Sequence, residues 1–182
     1  MANKEENEQS QIEVLKQHCN VWISNVKSLS DNNKMIEQIG WITNTSNKAN
    51  QIINQINNNF QTLETFRQHK VAYFIWRQPY MVAGNGTFIN HLLEKLNLIN
   101  VFKEIEGRYP EINIAQLKQA HPEYIFLSKP YPFKTKHIDE LKAIIPNAKV
   151  VLVDGELFSW FSKMVEAPSY FKTLRTMLTL IK

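Results

Sequence analysis

The chain has 182 residues, 43% of them hydrophobic and 21% charged, with a formal net charge of +4 and a pI near 9.1. That length allows one α/β domain, or one domain plus part of a second, and the composition excludes wholesale disorder. The lysines are scattered and form no dense basic block, so nothing points to nucleic acid. No apolar run approaches the roughly 20 residues of a membrane span. A single cysteine, Cys19, excludes an intramolecular disulfide framework and reads as a small apolar packing residue at a helix end.

The opening MANKEENEQSQ is polar and acidic, with no apolar export segment, so the chain as expressed is expected in the cytoplasm. A short helix is expected over 8–18, with Ile12 and Leu15 inward, then a strand over 21–24. A second helix starts near Ser30, where Ser or Asp can cap free N–H groups, and puts Met35, Ile36, Ile39 and Ile42 on one face. The first 44 residues thus offer one strand with no ladder partner. From 46 to 69, apolar residues fall at Ala49, Ile52, Ile53, Ile56, Phe60, Leu63 and Phe66, which predicts one uninterrupted helix about 35 Å long. It lacks Gly and Pro and reads as a rigid strut.

Strands and helices then alternate. Strands are expected over 71–76, 124–127 and 149–153. Helices are expected over 88–96, capped by Thr87, and over 114–120, 135–145 and 168–181. The last carries Tyr170, Leu174, Met177, Leu178 and Ile181 on its buried stripe. Short continuous apolar strands between helices predict a parallel sheet covered on both faces, with right-handed crossovers.

Ligands of open parallel sheets bind beyond the carboxyl ends of the strands. The segments there are rich in rings and cations: Trp76, Arg77 and Tyr80, then Tyr131 and Phe133, then Glu156 and Trp160, with Arg108 and Tyr109 in a further loop. Rings give large rigid contact area, and Arg suits carboxylate or phosphate groups. A bulky, partly flat, partly anionic ligand fits this rim; roofing of the core by the same rings is the alternative. Gly84-Asn85-Gly86-Thr87 lacks the Lys and spacing of a P-loop and reads as a turn plus helix cap. The five histidines show no metal-ligand spacing. Asp154 and Glu156 suit turn and hydrogen-bonding roles better than catalysis, and no catalytic residue or resident metal is assigned.

These loops resemble the helical-backbone (class III) periplasmic substrate-binding proteins of ABC importers, which carry cobalamin, haem or ferric siderophores. The matching stretches run in order over 71–164: Ile75-Trp76-Arg77-Gln78-Pro79-Tyr80-Met81, Thr87-Phe88-Ile89, Asn100-Val101-Phe102, Arg108-Tyr109-Pro110-Glu111-Ile112, Ser128-Lys129-Pro130-Tyr131-Pro132-Phe133 and Val153-Asp154-Gly155-Glu156-Leu157-Phe158-Ser159-Trp160. The resemblance implies three parts: a remnant of an N-terminal lobe over 1–45, an interlobe backbone helix over 46–70 and a C-terminal α/β lobe over 71–182. The earlier strands of the first lobe would then lie outside this chain. It implies a non-enzymatic capture protein, periplasmic or surface-anchored, with no cofactor of its own, although its ligand can contain Co or Fe. Tyr109 is the first candidate for ligand contact.

An ABC permease is the implied partner. However, Ala115-Gln116 stand where the docking Glu is expected, Gln78 and Lys129 replace usual Glu residues, and Phe161-Ser162 replace Tyr-Gly. Two other functions stay open at this point. One is a cytosolic homo-oligomeric interaction protein using the exposed interlobe face. The other is a small α/β enzyme using Asp154 or Glu156.

Overall fold

The computed structural model describes residues 1–4, 7–130, 132–160 and 163–180. A five-stranded sheet is built around β3 (His69–Trp76). On one side β3 pairs in parallel with β6 (Tyr124–Lys129), which pairs in parallel with β7 (Lys149–Asp154). On its other side β3 takes two short partners: parallel β5 (Leu98–Asn100) along its start and antiparallel β4 (Met81–Val82) along its end. The sheet is therefore mixed rather than wholly parallel. The turn after Trp76 is too short for a crossover, so the chain folds straight back as an antiparallel strand.

Both faces of β3 are buried, which explains its continuous apolar run. Val71 and Tyr73 point into one cluster with Phe126, Val151 and Val153. That cluster is closed by α3 (Ser46–Gln61), α4 (Phe88–Lys95) and α7 (Ala167–Leu180). Ala72 and Phe74 point to the other cluster with Ile125, Leu127 and Val150, closed by α5 (Ile114–Ala120) and α6 (Lys136–Ile144). The first cluster is anchored by a chain of rings. Phe158 lies 5.0 Å from both Tyr73 and Phe171. Burying such a ring contributes about 2–3 kcal/mol.

The helix signals are visible atom by atom. Thr87 accepts the Asn90 N–H at 3.0 Å and caps α4, as expected. Asn113 and Gln116 close a reciprocal capping box on α5. The cap of α2 (Leu29–Ile42) is Ser28, two residues before the expected start, because Asp31 Oδ2 accepts from both the Ser28 hydroxyl and the Lys27 N–H.

Several expectations are corrected. The strand over 21–24 is not alone: β1 (Ala2–Asn3) pairs in parallel with β2 (Ile23–Ser24), flanking α1 (Gln9–Lys16). The long helix stops at Gln61, so the strut is 16 residues rather than 24, about 24 Å long. Past its end Thr62 bonds back to the Asn58 and Asn59 carbonyls. Phe66 then leaves the helical stripe, and its N–H reaches Leu96 O at 3.0 Å, which draws the ring into the core. Leu15, Ile42 and Met177 are exposed, and on α7 the fully buried Phe171 joins the stripe that Met177 leaves. Cys19 is exposed and packs no core. Ile181 lies outside the described residues, as do Tyr131, Phe161 and Ser162.

Candidate functional site

The carboxyl ends of β3, β6 and β7 share one edge of the sheet, and the loops there are tightly tied. After Trp76 the chain turns through Arg77 and Tyr80 into β4. The 107–111 loop lies alongside β4: Val82 N–H donates to Pro110 O at 3.1 Å, Gly84 N–H to Arg108 O at 2.8 Å, and Ile112 N–H to Tyr80 O at 2.9 Å. The approach requires glycine at Gly84, where a Cβ would sit 2.6 Å from Gly107 O. Gly107 itself has φ +97, a conformation that glycine adopts without strain. Gly84 and its neighbours therefore form a packed turn and a helix cap, as their sequence indicates.

This lattice fixes Arg108 and Tyr109, both half-buried, at the rim. Tyr109 lies near the buried Tyr73 hydroxyl, with Ser128, Asp154 and Tyr170 around it. Burial pushes the Tyr73 phenol far above its usual range; the neighbouring Tyr170, Asp154 and Tyr109 add to the rise and Ser128 opposes it. Tyr170 is raised by its own burial, and its hydroxyl accepts the Asp154 N–H at 2.9 Å. This group of hydroxyls was not singled out in the sequence, because Tyr73 sits inside a strand and Tyr170 inside a helix.

On the opposite face of the sheet, Tyr80 stands edge-on to Phe74 at 5.4 Å and Trp76 is exposed. Arg77 turns to α6 and pairs with Glu140 at 2.8 Å, which holds the Glu140 carboxyl below its usual range. Glu156 pairs with Lys163 at 2.6 Å. Asp154 Oδ1 accepts the Glu156 N–H at 3.1 Å and caps the 3-10 turn Gly155–Phe158. Both acids thus make structural contacts.

Two candidates leave the rim. Phe133 is 1% exposed and packs on Phe74 and His137 under the sheet, so its ring is not open to a ligand. The pull of the second apolar cluster on an adjacent ring decides this. Trp160 is also largely buried, and it faces a different concavity. That cavity, of about 470 Å³, is lined by Trp160, Met164 and Val165 together with Ala2, Trp22 and the apolar faces of α2 and α3 (Met35, Ile36, Ile39, Ile52, Ile56). The rim residues Trp76, Tyr80, Arg108 and Tyr109 do not line it. Tyr131 lies outside the described residues. Among the described residues no group of three His, Cys, Asp or Glu side chains could hold a metal ion, and no helix is long and apolar enough to cross a membrane.

The sequence profile of the family described as Periplasmic binding protein matches residues 1–144. Comparison with curated proteins gives no match. Solved structures share the fold. A periplasmic heme-binding protein from a Roseiflexus species superposes with a TM-score of 0.76 at 10% identity, over 96% of this chain and 72% of its own. A possible iron-binding periplasmic solute-binding protein from Staphylococcus epidermidis gives 0.72 at 17% identity, over 92% and 69%. The periplasmic vitamin B12 binding protein of Vibrio cholerae gives 0.71 at 14% identity, over 98% and 73%. The chain therefore belongs to the Periplasmic binding protein family, as a non-enzymatic binding protein, and shares the fold of these solved structures.

Proposed function

We propose that this protein captures a bulky, flat, partly anionic metal chelate or tetrapyrrole of the cobalamin, haem or ferric-siderophore kind and delivers it to an ABC permease. The observation that carries the reading is the Arg108–Tyr109 loop, locked against β4 at the carboxyl edge of the sheet. A cation and a ring are held there before any ligand arrives, so little ordering entropy is lost on binding. Trp76 and Tyr80 extend the same edge, and Arg77 and Glu156 flank it. The solved relatives named for haem, iron and vitamin B12 support the choice of ligand class.

In this reading residues 1–45 are part of an N-terminal lobe, 46–70 connect the lobes and 71–182 form the C-terminal lobe. The two-residue strands β1 and β2, the apolar cavity beside them and the greater length of the relatives support an incomplete first lobe. The test is titration with haemin, cobalamin and a ferric catecholate, followed by tryptophan quenching. Saturable quenching by one of the three is expected; no saturable response to any of them overturns the reading.

A second reading is favoured by one observation. Met1, Val14, Leu15, Trp41 and Ile42 are all exposed in the first 42 residues. Self-association through this surface would cover them, and sedimentation as a monomer at high concentration argues against it.

A further inference from the structure

Between β6 and α6 the chain is pinned to itself by an imidazole. His137, in the first turn of α6, is 5% exposed. Its Nδ1 accepts the backbone N–H of Lys134 at 2.9 Å, and the backbone N–H of His137 donates to Lys134 O at 3.0 Å. An accepting Nδ1 carries no proton, so the neutral ring holds its hydrogen on Nε2. The adjacent Phe133 is clamped by the same arrangement, edge-on to His137 at 5.9 Å and to Phe74 at 6.2 Å.

The charged groups facing the ring are Arg77 from the turn after β3, Glu140 from α6, and Lys134 and Lys136 beside it. Arg77 and Glu140 are bonded to each other, so their fields at the ring oppose. Burial, first, and then Arg77 and the lysines hold the imidazole below its ordinary 6.5, and Glu140 alone pulls it up.

We propose that His137 is an acid-sensitive latch on the 132–136 segment: a proton on Nδ1 replaces the acceptor with an N–H aimed at the Lys134 N–H, and the segment comes free. The sign follows from the geometry. The neutral ring supports the folded loop, so the support is complete above pH 6.5 and is lost as pH falls below it. The segment follows β6 at the carboxyl edge of the sheet. Its release would weaken ligand retention in acid, a consequence that rests on the capture reading above.

Backbone hydrogen exchange on the ligand-free protein tests the latch, with rates corrected for the intrinsic pH dependence. Between about pH 7.5 and about pH 5, protection of the Lys134 amide is expected to fall about tenfold, the scale of one net hydrogen bond. The amides of β6 should keep theirs. His137→Asn places an oxygen acceptor near the Nδ1 position and does not titrate, so its Lys134 protection should persist in acid. In the wild-type chain the ring titration, read by NMR, should share its midpoint with the loss of protection. The latch is overturned by pH-independent protection of Lys134, by an equal fall in His137→Asn, or by separate midpoints. No ligand is present, so failure here leaves the capture reading intact, and failed titrations leave this result intact.

Discussion

Asn32 and Asn100 are both buried, 0% and 2% exposed, and the structure predicts opposite responses to the same substitution. Neither Asn32 Oδ1 nor Nδ2 has a hydrogen-bond partner among the described residues. Asn100 is fully engaged: Nδ2 donates to Ala83 O at 2.8 Å and to Asn90 Oδ1 at 2.9 Å, and Oδ1 accepts the Phe102 N–H at 3.0 Å. Leucine matches asparagine in branching and heavy-atom count but is bulkier, so repacking strain enters both variants. Asn32→Leu removes an uncompensated amide whose burial costs about 1–3 kcal/mol, so a gain of about 1–2 kcal/mol is expected after some repacking strain. Asn100→Leu leaves two acceptors and one donor unpaired in the core, at a cost of about 3–4 kcal/mol. With a urea m-value of about 2 kcal/mol/M, the midpoints should move up by about 0.5–1 M and down by about 1.5–2 M. Equilibrium urea unfolding, with an unchanged slope, is the assay. If both variants shift in the same direction, the argument from hydrogen-bond satisfaction is refuted.

Gly84→Ala should cost about 1–3 kcal/mol, because its Cβ meets backbone at 2.6 Å; Gly84→Asn should be no better, as thermal melts can show. Gly86, at φ +69 with nothing within 4 Å, should lose about 1 kcal/mol to Ala and less to Asn, which tolerates that conformation. The Glu123 carboxyl is held below its ordinary 4.5, chiefly by its bond to His69. It therefore adds stability above that pH that is lost as pH falls through the lower folded value. Glu123 is half exposed, so the pair is worth less than about 1 kcal/mol, and Glu123→Gln should flatten that part of the acid-stability curve. Tyr109→Ala should weaken binding of whichever ligand saturates the protein by about tenfold or more, with little change in melting temperature; unchanged affinity in the same quenching titration would remove Tyr109 from the site.

The sequence by itself determined most of the elements. Helix α5 falls where its apolar spacing and the Asn113 cap put it, and α4 follows Thr87 because a hydroxyl there satisfies a free N–H. The buried strands are legible because two covered faces demand an unbroken apolar run, as in the core of β3. The order of the rim motifs also carried the family resemblance. Pairing and orientation were decided only in three dimensions. β1 is two residues in a polar opening, visible as a strand only once Trp22 O accepts the Ala2 N–H. The long helix ends at Gln61, where Thr62 turns back on the Asn58 and Asn59 carbonyls, and Phe66 is buried off the stripe.

Among the rim residues, sequence distance could not separate Tyr109, fixed at the edge by β4, from Phe133, drawn under the sheet, or Trp160, turned to another cavity. Nor could it pair Arg77 with Glu140 or Glu156 with Lys163. Local propensity and periodicity act over a few residues and are written in the chain. Which face a loop side chain takes depends on what distant segments bury beside it, and only the packed structure holds that information.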